Sequence, residues 1–127
     1  MRAIAKADLL FLGPGGGLQD YDIRGVRSMF GTFRVALIAR LFGGRVVGIG
    51  LGAGPLVKPW GRRFARWIVD LCDLVVLRDE VSGALLETLG VPADKLRVAA
   101  DLAFAEVVPS GPRSGNGQRL GVSVFDF

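Results

Sequence analysis

Leu9-Leu10-Phe11-Leu12 is an unbroken apolar run that stops at Gly13-Pro14-Gly15-Gly16-Gly17. Runs of this kind suit parallel strands that are covered on both faces. From about Ser28 to Phe42 the period changes to that of a helix. Phe30, Phe33, Leu37, Ile38 and Leu41 share one face, Arg34 and Arg40 lie off it, and Gly43-Gly44 ends it. Arg45-Val46-Val47-Gly48-Ile49 reads as a second strand, and Pro59 opens a second helix. In that helix Trp60, Phe64, Trp67, Ile68 and Leu71 form the apolar stripe, expected in the core, opposite Arg62, Arg63, Arg66 and Asp70. Leu74-Val75-Val76-Leu77 is a third strand. Asp79 caps a helix running to Leu89 that Gly90 stops, and Leu96-Arg97-Val98-Ala99 is a fourth strand.

Strands and helices that alternate in this way predict an α/β fold, a Rossmann-like parallel sheet with helices on both faces. Ligands then belong at the carboxyl ends of the strands. Three units are expected along the chain: a lobe over 1–108, a Pro/Gly/Ser-rich linker over 109–118, and the opening strand of a second lobe over 119–127. The abrupt start suggests that the first βα unit is absent. The whole then reads as one incomplete lobe.

The mean hydropathy of +0.42 is high for a small domain. Arg34, Arg40 and Arg45 break up the richest region, so no stretch approaches the roughly 20 apolar residues of a membrane span. The first residues lack the sustained apolar core of a secretory signal. Elements packed partly against something outside this sequence account better for the hydropathy. Cys72 is the only cysteine, which excludes an internal disulfide and fits a reducing, cytoplasmic compartment. On its apolar helix it reads as a small buried hydrophobe. With no histidine, the commonest general base and metal ligand is missing, and no metal site is expected. The net charge of +4 suits an anionic substrate or a membrane surface. One tyrosine and no dense basic run argue against nucleic acid.

The candidate chemistry sits at strand ends. Gly15, Gly16 and Gly17 expose backbone N–H groups where a ligand can approach. Asp20 can meet a sugar hydroxyl and take its proton, or simply cap the following segment. Gly50, Gly52 and Gly54 form a second glycine segment, either a substrate cradle or a close-packed junction between lobes. Arg78 ends the third strand. It can hold a carboxylate or phosphate bidentately, or pair with Asp79 or Glu80. Asp101 ends the fourth strand and faces the cleft or satisfies backbone N–H groups. Arg62, Arg63 and Arg66 are a solvated face or a contact for an anionic lipid-linked molecule or the membrane surface.

Four segments occur in a fixed order: Ala7 to Asp20, Gly48 to Leu56, Leu77-Arg78-Asp79-Glu80-Val81-Ser82 with Leu89-Gly90, and Ala100-Asp101-Leu102-Ala103-Phe104. Together they resemble the N-terminal half of the polysaccharide pyruvyl transferase family. Leu102 departs from the proline of that family's Asp-Pro-Ala-Phe segment, and the family's Asn-x-Gly-Asp-like first unit is absent. The resemblance implies a fragment of a two-lobed, GT-B-type enzyme that transfers a pyruvyl group from phosphoenolpyruvate to a sugar hydroxyl as a ketal, in cell-surface polysaccharide synthesis. It implies Asp20 and Arg78 as catalytic residues. Gly15, Gly16, Gly17, Gln19, Gly50, Gly52, Gly54 and Asp101 would bind substrate. No cofactor is implied beyond phosphoenolpyruvate as donor. The partners would be a saccharide or lipid-linked saccharide acceptor and a missing C-terminal lobe, beside the peripheral membrane contact that the arginine face allows. Much of the donor site would lie on that missing lobe, so the chain alone is expected to lack turnover.

Three other readings stay open. Gly48-Ile49-Gly50-Leu51-Gly52-Ala53 fits a dinucleotide fingerprint, although Pro55 and Pro59 interrupt the helix that should follow. A GT-B glycosyltransferase using a nucleotide sugar shares the fold. An inactive truncated binding domain is the non-enzymatic alternative.

Overall fold

The computed structural model describes residues 3–101. The elements are a short 3-10 turn (Ile4–Lys6), β1 (Leu9–Leu12), β2 (Gly15–Leu18), α1 (Ile23–Leu41), β3 (Arg45–Ala53), α2 (Pro59–Leu71), β4 (Leu74–Leu77), α3 (Glu80–Thr88), a second 3-10 turn (Ala93–Lys95) and β5 (Leu96–Val98). The expected linker and second-lobe strand lie outside the described residues.

The sheet is parallel throughout, in the order β1-β3-β4-β5, with β2 also paired to β3. β1 runs beside Arg45 to Gly48, and β2 beside Leu51 to Ala53. The two therefore act as one strand interrupted at Gly13-Pro14. The sequence ends the strand at Gly13-Pro14-Gly15-Gly16-Gly17, since glycine is disfavoured in strands. Here the backbone ladder makes the pairing, and Leu18 at its end is buried in the core.

The α/β fold is as expected. Its helices, however, all pack on one face among the described residues. The strand order runs in a single direction, and right-handed crossovers then put every helix on the same side. One core joins Met29, Ala36 and Ala39 of α1, Ile68 and Val69 of α2, and Leu86 of α3 to Leu12, Val46, Val75, Leu77 and Leu96 of the strands. The opposite sheet face carries Leu9, Phe11, Val47, Ile49, Leu74 and Val76, with Phe11 57% exposed.

Two helices are rotated from their expected orientation. α1 starts five residues before the periodicity suggested, because the Asp22 carboxylate accepts the Gly25 N–H at 2.6 Å. It buries Gly25, Met29, Ala36 and Ala39, while Phe30 and Leu41 are exposed. α2 buries Gly61, Ala65, Ile68 and Val69. Trp60 and Trp67, expected in the core, lie on the surface, 43% and 49% exposed. Gly61 and Ala65 let α2 approach the sheet closely, with Ile68 and Val69 filling the core beside them, and the two tryptophans are left outside. Cys72 caps α2 and is buried as expected. Its thiol donates to the Ile68 carbonyl at 3.4 Å, and burial pushes its pKa up to about 11, so it stays a protonated, inert thiol at neutral pH.

Candidate active site

All of the strands run the same way, so their carboxyl ends form one rim. Gln19 and Asp20 follow β2 there, Gly54 and Pro55 follow β3, Arg78 and Asp79 follow β4, and Asp101 lies just beyond β5. The candidate residues of all four segments are thus gathered on one side of the sheet.

The two glycine segments are stitched together. The Gly54 N–H donates to the Leu18 carbonyl at 2.7 Å, and the Asp20 N–H to the Pro55 carbonyl at 3.2 Å. The Asp20 side chain is wholly buried. Its two oxygens accept the Val57 N–H at 2.6 Å and the Lys58 N–H at 2.9 Å. Lys58 is the N-cap residue of α2, so this carboxylate sits on the positive end of the helix, which compensates for its burial. The fit is tight: a Cβ on Gly61, in the first turn of α2, would land on the Asp20 carboxylate. Asp20 therefore caps a segment, but it caps α2, thirty-seven positions away, and not the residues that follow it. The following helix has its own cap in Asp22.

Gly50 has φ +64°, and the β3–β4 register shifts between Ile49 and Leu51. It is the extra residue of a bulge, in the left-handed region that glycine adopts without penalty. The bulge turns Leu51 to pair with Leu77. Gly52, one residue on, is buried beneath Arg78. A Cβ there would come within 2.8 Å of Nε and 3.1 Å of Cζ. The sequence places these two residues on neighbouring strand ends; the structure shows the guanidinium lying directly over the glycine.

Arg78 is about two-fifths exposed. Its Nε lies 3.5 Å from an Asp79 oxygen, and one terminal nitrogen lies 3.7 Å from Asp101. Charge-assisted hydrogen bonds are usually 2.7–2.9 Å long, so both are loose ion pairs. Asp79 is committed elsewhere, because its other oxygen accepts the Ser82 N–H at 2.7 Å as the N-cap of α3. That bond is the main reason why its pKa lies below the usual carboxylate range, with Arg78 adding a smaller pull. Ser82 is a first-turn helix residue, as its position suggested, and it is buried. Its hydroxyl accepts the Ala53 N–H at 2.9 Å, which ties α3 to the second glycine segment.

Every helix N-terminus at the rim thus has an aspartate on it: Asp22 on α1, Asp20 on α2, Asp79 on α3. In dinucleotide sites such an N-terminus holds the pyrophosphate. Here an aspartate already occupies part of each such N-terminus, and Arg78 stands beside the third of them at the end of β4.

Beside the first glycine segment lies a cavity of about 260 Å³, lined by Leu12, Gly13, Pro14, Gly15, Gly17, Ser28, Thr32 and Leu51. A Cβ on Gly15 would meet nothing within 4 Å, so this backbone is open to a ligand. Gln19 is half-buried, and its backbone carbonyl and side chain lie against Gly25. Ser28 and Thr32 were missed in the sequence. Their spacing of four puts them on one helix face, but only the fold shows that this face lies against the first glycine segment. No group of three or more potential metal ligands is found among the described residues.

A family model described as polysaccharide pyruvyl transferase matches residues 1–123. No curated protein and no solved structure matches the chain. The family match spans nearly the whole sequence, including every segment that forms the rim, and the chain belongs to the polysaccharide pyruvyl transferase family.

Proposed function

We propose that this chain serves the transfer of a pyruvyl group from phosphoenolpyruvate to a saccharide or lipid-linked saccharide, on the cytoplasmic side of cell-surface polysaccharide synthesis. Arg78 is the residue that meets the donor. The observation that carries this reading is its position: a partly exposed guanidinium on the glycine floor of the rim, whose ion pairs among the described residues are long. Phosphoenolpyruvate brings a carboxylate and a phosphate, and a planar guanidinium fits either bidentately.

The reaction balances as follows. The methylene carbon of the donor gains a proton, and the neighbouring carbon takes on oxocarbenium character. Two hydroxyl oxygens of the acceptor bond to that carbon, and its bond to the phosphate oxygen breaks. Of the two hydroxyl protons released, one balances the new methyl group and the other leaves with inorganic phosphate. Arg78 stabilises the departing anionic charge. The cavity beside Gly15, with the Ser28 and Thr32 hydroxyls in its wall, suits the acceptor. Asp20 is a positioning residue in this scheme, since both of its oxygens are engaged by backbone.

Titration calorimetry of the full chain tests the reading. Phosphoenolpyruvate should bind, and Arg78→Met should weaken it about tenfold or more, as expected for loss of a charge-assisted contact. Stabilisation by a nucleotide sugar or NAD in thermal-shift measurements, with none from phosphoenolpyruvate, would replace this reading by one of its rivals.

A further inference from the structure

We propose that the outer face of α1 and α2 is a docking surface for an anionic lipid bilayer. Both helices bury small residues together with Met29, Ile68 and Val69, which leaves an aromatic stripe on the outside that rests on the core through Phe64. Phe64 is at its centre, with ring centroids 4.7 Å from Phe30 and 6.0 Å from Trp67. Trp60, Phe64 and Trp67 bound a shallow groove of about 330 Å³ along α2. Trp60, Trp67 and Phe30 are each between 43% and 52% exposed. Large aromatic residues gathered on one surface mark an interaction site.

The charges around the stripe identify the occupant. Arg27 and Arg34 flank Phe30 at one helical turn on either side, and Arg63 lies between Trp60 and Trp67. Lys58 stands 5.5 Å from the Trp60 ring. α1 contains no acidic residue, and the one acid of α2, Asp70, is held by Arg66 at 2.8 Å. Against an apolar protein face, these arginines would become buried and unpaired. A second copy of the same patch would set like charges against each other. Anionic headgroups instead pair with the cations, while the indoles sit at the depth where tryptophan is favoured. No helix among the described residues is long and apolar enough to cross a membrane, so the contact is interfacial.

The test uses the full chain and vesicles of phosphatidylcholine, with or without 30 mol % phosphatidylglycerol. Trp60 and Trp67 are the only tryptophans, so emission reports on this patch alone. The protein should cosediment with the anionic vesicles, with blue-shifted emission and loss of binding in high salt. Each cation near the surface contributes on the order of a fivefold factor in partition. Arg63→Gln should therefore weaken binding about fivefold, and the Arg27→Gln/Arg34→Gln/Arg63→Gln variant about a hundredfold. Arg97→Gln, on β5, should leave binding unchanged. Circular dichroism establishes that each variant is folded. Equal binding to neutral vesicles, no binding to either kind, or self-association that shifts the emission without lipid would each overturn the proposal. Its outcome is independent of phosphoenolpyruvate binding.

Discussion

Asp79 sets the end of α3 and faces Arg78 at the same time, so its two roles can be separated by pH. Asp79→Ala removes the N-cap and should cost about 1 kcal/mol in urea unfolding at neutral pH. Asp79→Asn keeps a capping oxygen but loses the charge. The wild-type carboxyl titrates below its unfolded value, chiefly because it accepts the Ser82 N–H. The sign follows: the charged form is favoured in the folded state, so its contribution is full at neutral pH. It is lost as pH falls from the unfolded value of about 3.8 through the lower folded one. The stability gap between wild type and Asp79→Asn should be constant above roughly pH 5 and close in stronger acid. A gap that is the same at every pH would show that the charge plays no part. Cap residues such as Asp79 are visible in a sequence because the cap is local: acceptor and donor are three positions apart. The Asp20 contact was not visible, because it spans thirty-seven positions and joins two βα units.

At the level of the elements, β4 is the run Leu74–Leu77 that the sequence marks, and α2 begins at Pro59 as its proline implies. Run length and capping chemistry therefore define the elements. Which side of a helix faces inward was legible only in part: Ile68 of the expected stripe is buried and Phe33, Phe64 and Leu71 pack against the core, but Trp60 and Trp67 turn outward where a small face competes with a large one. Along α2 the aromatic spacing of Trp60, Phe64 and Trp67 is the stronger periodic signal, yet Gly61 and Ala65 face the sheet. Gly31 and Gly61 test this orientation with opposite signs. Alanine favours a helix over glycine by about 1 kcal/mol. On Gly31, in α1, a Cβ would meet nothing within 4 Å, so Gly31→Ala should stabilise by about 0.5–1 kcal/mol. On Gly61 it would strike the Asp20 carboxylate, so Gly61→Ala should destabilise by about 1–3 kcal/mol despite its better propensity. Thermal unfolding measures both. Stabilisation by both substitutions would mean that Gly61 does not lie against Asp20.

For the molecule as a whole, apolar side chains also lie outside the core, on the sheet face carrying Phe11 and on the outer side of α1 and α2 at Phe30, Trp60 and Trp67. What unites the rim is instead a polar residue. Asp20 joins the first glycine segment to the second and to α2, and Ser82 joins the second to α3, so the floor under Arg78 rests on two buried side chains. Asp20→Ala leaves the Val57 and Lys58 N–H groups without their buried acceptor, at a cost of about 3 kcal/mol. In Asp20→Asn the amide offers one acceptor to two donors and turns its own NH₂ towards an N–H, so most of that loss should remain. A proton-transfer role gives a different result, because Asp20→Asn would then be nearly as stable as wild type and deficient only in chemistry. Urea unfolding, with hydrogen exchange at the Val57 and Lys58 amides, separates the two. If Asp20 positions the loops, both variants lose stability, both amides exchange faster, and phosphoenolpyruvate affinity falls because the glycine floor beneath Arg78 shifts. Unchanged stability and exchange in Asp20→Asn would return Asp20 to the reacting groups.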